Sequence, residues 1–182
     1  PMFTPSRILL ALIALFTTAA AVLAADPAPG LIPQLEPLRP YIGKTWKGEF
    51  KNSTPEEPIV DVARWERALN GQAIRILHSI NNGEYGGESI ITWDATKKSL
   101  VYHYFTTAGF ITVGTMSFSE GRMISLEKVQ GEANGVTNVR ATGQMHPDGS
   151  MSSKAEFLKN GKWEAGPEIV YREDSKAEVV FK

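Results

Sequence analysis

Residues 85–118 read YGGESIITWDATKKSLVYHYFTTAGFITVGTMSF, and the fold is decided by how this stretch is read. It holds three runs rich in Ile, Val, Tyr, Phe, Thr and Trp, the side chains that pack well on a pleated surface. Turn residues separate them: Asp94 to Lys98 first, then Ala108 and Gly109. Neither gap leaves room for a crossover helix, so neighbouring runs are expected to pair as antiparallel hairpins.

The same rhythm extends to both sides. Upstream, residues 44–51 read as a strand with Trp46 and Phe50 on one face. Residues 59–69 read as another, with Val60 and Val62 opposed to Ala63, Trp65 and Leu69. Asn70-Gly71 is a strong hairpin signal because both residues tolerate positive φ. Residues 72–81 follow, with Ile74, Ile76, His78 and Ile80 on one face. Downstream, strands are expected at 123–129, 136–145, 151–159 and 163–173, with a short closing strand at 179–181. That makes about ten strands, spaced as in sandwiches and barrels. Nearly every connection is a short hairpin, which gives an up-and-down order, and closing such a sheet removes its unpaired edges. The expected fold is all-β: a closed antiparallel up-and-down β-barrel. Before it, Leu31, Leu35 and Leu38 recur near a helical spacing, but Pro33, Pro37 and Pro40 forbid a long helix. Broken helical turns are expected here as a short plug over one end of the barrel.

Composition narrows the function classes. The 182 residues carry a net charge of −1, which argues against a nucleic-acid groove. Cysteine is absent, so disulfides, thiolate metal sites, a thiol nucleophile and a lipobox anchor are excluded. Arg7, the apolar run from Ile8 to Phe16 and the small residues up to Ala25 have the order of a cleavable signal peptide. Residues 1–25 are therefore expected to be removed and residues 26–182 to form one exported domain, periplasmic or secreted. No stable membrane insertion is expected after cleavage.

The stretch Leu38-Arg-Pro-Tyr-Ile-Gly43-Lys-Thr-Trp46-Lys-Gly48-Glu49 resembles the start of a lipocalin-like, or calycin, barrel. In such barrels an N-terminal turn plugs one end and a Trp on the first strand packs beneath it. Residues 87–98 resemble a family of bacterial secreted lipocalin-like proteins, distantly similar to the nitrobindin-type haem barrels. The resemblance implies a basic residue stacked over Trp46, for which Arg172 is the matching position.

Motifs for chemistry are sparse. His78, His103 and His146 show no paired metal spacing, and no HExxH, Gly-x-Ser-x-Gly or phosphate loop occurs. No cofactor or metal is expected from the residues themselves; the nitrobindin resemblance allows a haem with one axial His. With a four-residue turn at Ala95 to Lys98, Trp93 faces Leu100 and Ile90 faces His103; with Ala108-Gly109 as a two-residue turn, His103 faces Gly114. One face of the sheet then groups Glu88, Ile90, Val101, His103, Phe105, Thr112, Gly114 and Met116 as a candidate ligand site. Both faces are partly apolar, so alternation leaves the inner face open, and a slip of one residue moves Ile111 and Val113 to the side of His103. The expected function is an exported binding protein holding a small hydrophobic molecule in its barrel. The alternatives are a small-molecule hydrolase or isomerase using His103 with Glu88 as acid and base, or a haem-binding barrel.

Overall fold

The computed structural model describes residues 30–182; the expected signal peptide, residues 1–25, lies outside them. Ten antiparallel strands follow one another: β1 Lys44–Phe50, β2 Val60–Ala68, β3 Ala73–Ile80, β4 Tyr85–Asp94 and β5 Ser99–Thr106 form the first half. β6 Ile111–Ser119, β7 Arg122–Gln130, β8 Val136–Met145, β9 Met151–Lys159 and β10 Lys162–Glu173 form the second. Each strand pairs with its neighbours in sequence, and β1 pairs with β10, so the sheet closes into an up-and-down barrel. Residues 179–181 add no strand. The ring is already closed by the β1–β10 ladder, and this tail instead runs along the outside, where the Val180 amide donates to Ser79 Oγ at 3.0 Å.

One end of the barrel is filled. Pro33–Tyr41 forms a 3-10 helix containing Pro37 and Pro40, with Leu35, Leu38 and Tyr41 buried. These three pack with Trp46, Trp65, Ile74, Ile91 and Leu100 in the core cluster. Trp46 is fully buried, and its indole N–H donates to the Tyr41 carbonyl at 3.1 Å. Tyr41 stacks on Trp65 with ring centroids 5.0 Å apart. Arg172 does not stack over Trp46. It lies on the outer face opposite Lys47 and binds Asp148 at 3.1 Å. Lys44, two residues before Trp46, places its ammonium 5.3 Å from the indole centroid instead.

The turns set the register. Asp94 Oδ1 accepts from the amides of Thr96 and Lys97 and fixes the β4–β5 turn, so Trp93 faces Leu100 and Ile90 faces His103, as expected. The β5–β6 turn differs from the expected one. Gly109 adopts φ +86° and its amide bonds to the Thr106 carbonyl. The loop therefore holds Thr107, Ala108 and Gly109, a three-residue connection closed by a left-handed residue. That shifts the ladder by one: His103 pairs with Val113, and Tyr102 pairs with Gly114. The shift places Thr112, Gly114 and Met116 on the side of Tyr102, and Ile111 and Val113 on the side of His103.

Candidate functional site

Beyond the filled end, the barrel encloses a cavity of about 680 Å³ that reaches the rim near Phe50, Phe110, Ala133 and Pro167. This lies within the range of about 300–1,000 Å³ usual for small-molecule sites. Its wall is mostly apolar, with Ile76, Val129, Val139, Phe157 and Ile169 contributed by five strands. Set into this wall is a chain of hydrogen-bonded polar groups.

The chain begins at Asp61 on β2, which is 3% exposed. Its Oδ2 accepts from the Tyr171 hydroxyl at 2.7 Å, and its Oδ1 lies 2.9 Å from His78 Nδ1. His78 Nε2 is 2.7 Å from the Tyr104 hydroxyl, which bonds the Tyr85 hydroxyl at 2.9 Å. A carboxylate can only accept, so Nδ1 carries the proton toward Asp61. Nε2 then accepts from Tyr104 in the neutral ring, or donates to it when the ring is charged. Burial pushes the Tyr104 phenol well above its ordinary range and raises that of Tyr85; Tyr171 rises far for the same reason, reinforced by the Asp61 charge. All three are held as neutral hydroxyls.

A second carboxyl group enters from β7. Glu127 accepts a hydrogen bond from the Thr112 hydroxyl at 2.5 Å. Burial lifts its carboxyl above the usual range, and the hydroxyls of Thr112 and Tyr102 pull it partly back. Tyr102 is itself pushed up, by burial first and then by the Glu127 charge.

Glycines make the arrangement possible. Gly48 sits between Tyr171 and Asp61 in the β10–β1–β2 ladder, and Gly114 sits between Tyr102 and Glu127 in β5–β6–β7. A Cβ on Gly48 would lie 3.0 Å from the Tyr171 ring, and one on Gly114 would lie 3.0 Å from the Tyr102 ring. On Gly87 it would come within 2.4 Å of Tyr104. Each tyrosine thus lies across a missing side chain on the adjacent strand, a close approach that only glycine permits.

The eight residues grouped from the sequence are not brought together. Thr112, Gly114 and Met116 point inward: Thr112 lines the cavity, Gly114 lies under Tyr102, and Met116 belongs to the core. Glu88, Ile90, Val101, His103 and Phe105 lie on the outer face, because they alternate with Ile91, Leu100 and Tyr102, which pack into the core, while the three-residue turn separates them from Thr112, Gly114 and Met116. Glu88 is engaged there by Arg75 at 2.9 Å, and His103 stacks on Phe105 in solvent. Glu88 and His103 therefore do not form an acid–base pair in the barrel. The residues missed were Asp61, Glu127, Tyr85 and Tyr171; Tyr102 and Tyr104 lie on the face of β5 opposite His103, which alternation leaves open as the interior. The signal for the two carboxyl groups was parity: Asp61 alternates in step with Ala63 and Trp65, and Glu127 with Met123 and Val129. His78 had already grouped with Ile74, Ile76 and Ile80.

Haem fits this site poorly. His78 is the one histidine lining the cavity among the described residues, and both its ring nitrogens are occupied by Asp61 and Tyr104. No nitrogen is presented to an iron. Nor do the described residues hold a group of three His, Asp or Glu side chains suited to a metal ion.

No family model matches the chain, and neither does any curated protein. Among solved structures it is similar to Rv2717c from M. tuberculosis, with a TM-score of 0.57 and 14% identity, over 80% of this chain and 99% of that one. At that identity the likeness bears on the fold alone: the two chains share a barrel architecture.

Proposed function

We propose that this barrel is a binding protein for a small, largely apolar molecule that carries a polar end. The observation that carries the reading is the cavity of about 680 Å³, apolar over most of its wall and supplied with a few buried polar groups. Apolar walls favour uptake through loss of hydrated surface, while a few fixed polar groups orient the guest. The reading includes export to the periplasm or secretion, for which the support is the leader in residues 1–25. Native mass spectrometry of protein purified from its own host tests both parts. The expected spectrum is a chain beginning at Ala25 or Asp26 that carries one non-covalent mass of a few hundred daltons. A bare chain that also takes up no apolar compound when soaked would contradict the binding role, and an intact leader would contradict export.

A hydrolase or isomerase is the second reading. Its support is the Asp61–His78–Tyr104 chain, which has the connectivity of a relay in which a carboxylate orients an imidazole. Against it, Tyr104 is held neutral and Nε2 already has a partner, so this relay presents no free imidazole nitrogen to the cavity.

A further inference from the structure

The charges in the cavity wall are one-sided. The described residues that line it include Asp61 and Glu127 but no Lys and no Arg. The one basic group, His78, has its Nδ1 engaged by Asp61. Asp61 thus has an imidazole and a phenol, one on each oxygen. Glu127 differs: its partners are the hydroxyls of Thr112 and Tyr102, and among the described residues no cation pairs with it. A buried carboxylate without a countercharge is costly, and the group responds by holding its proton more tightly. The aromatic rings of Tyr102 and Tyr104 line the same cavity. Aromatic faces attract a cation within about 6 Å of the ring centre.

We infer that the cavity selects cationic amphiphiles, apolar molecules ending in an ammonium group, with Glu127 as the counter-ion, and excludes anionic ones. This deepens the proposed binding role and rests on it. An ammonium supplies the charge that Glu127 lacks and three donors for its oxygens. A fatty carboxylate of the same length meets two acidic side chains and no guanidinium or ammonium, so its desolvation goes uncompensated. A neutral alcohol falls between the two, since it can hydrogen-bond with Glu127 without countering its charge.

The test is displacement of the neutral fluorescent probe N-phenyl-1-naphthylamine by octylammonium, octanol and octanoate at pH 7, all below their micelle concentrations. Octylammonium is expected to displace the probe at a concentration at least about tenfold below that of octanoate, the scale of one hydrogen bond to a charged group. Glu127→Gln is expected to shrink that preference by a similar factor. A second variant, Val139→Lys, places a cation directly opposite Glu127 on the neighbouring strand and is expected to abolish the preference. Octanoate binding as well as octylammonium to the parent protein would overturn the inference, as would an undiminished preference in both variants. Either result would leave the cavity as a binding site with a different ligand class. Failure of the probe and of all three compounds to bind would remove the binding role itself.

Discussion

At the residue scale the interior depends on positions where one atom more would not fit. Gly114 is the sharpest. A Cβ there would stand 2.6 Å from the Leu126 carbonyl oxygen and 3.0 Å from both Tyr102 and Glu127. The carbonyl belongs to a paired strand and cannot retreat, so the added methyl acts as overpacking. Gly114→Ala is expected to cost roughly 1–3 kcal/mol in urea denaturation, and to weaken probe binding by displacing Glu127. A loss under about 0.5 kcal/mol would show that the strands relax freely there. Trp46 stands for the opposite case, a large side chain that cannot be removed. It is fully buried and bonded to the Tyr41 carbonyl. Trp46→Ala is expected to destabilise by roughly 3–5 kcal/mol, through the filled end and with little change in probe affinity for the folded protein. A cost below about 1 kcal/mol would be inconsistent with its packing.

At the scale of elements, the turn between β5 and β6 has the widest consequences. Asn-Gly and Asp-initiated turns were legible because their side chains announce the geometry. Ala108-Gly109 was less so: the same dipeptide serves a two-residue turn or ends a three-residue one. Both faces of β4 and β5 are partly apolar, with Ile90, Val101 and Phe105 outside and Ile91, Leu100 and Tyr102 inside, so burial pattern could not correct the slip. One residue of register was enough to separate Thr112, Gly114 and Met116 from His103 and set them beside Tyr102 and Tyr104 at the inner face. Strand existence and order needed only local signals and were readable to within a residue or so at each end, apart from the closing strand expected at 179–181, which does not form. The polar groups of the cavity were hidden for a related reason: Asp61 and Glu127 occupy inward positions that an apolar-in pattern assigns to hydrophobic residues. Gly109 provides the element-scale prediction. It adopts φ +86°, and a Cβ there would touch nothing within 4 Å, so substitution has a conformational cost only. Gly109→Val is expected to lower stability by on the order of 1–2 kcal/mol, leaving the ladder otherwise paired as judged by amide exchange. An unchanged melting temperature would mean that the loop has another conformation.

At the scale of the molecule, closure and cavity divide the barrel between them. The filled half holds the 3-10 helix, both buried tryptophans and the large aliphatic side chains; the other half encloses the cavity. Glu127, half-buried in the cavity wall, makes this architecture sensitive to pH. Its carboxyl is raised in the folded state, so the folded protein binds the proton more tightly than the unfolded chain does. Its contribution to stability is therefore full on the acid side of the ordinary carboxyl range and is lost as pH rises through the raised folded value. Glu127→Gln is expected to flatten this decline when melting temperature is measured across pH, and a steeper decline in the variant would reverse the assignment.

The most direct measurement is a titration of the protein with N-phenyl-1-naphthylamine, in parallel with Ala155→Trp, which projects an indole into the cavity from β9. The parent is expected to bind the probe saturably at one site, and the variant to lose that binding while keeping its barrel, as reported by circular dichroism. Equal binding by parent and folded variant would place the probe outside the barrel and contradict the account.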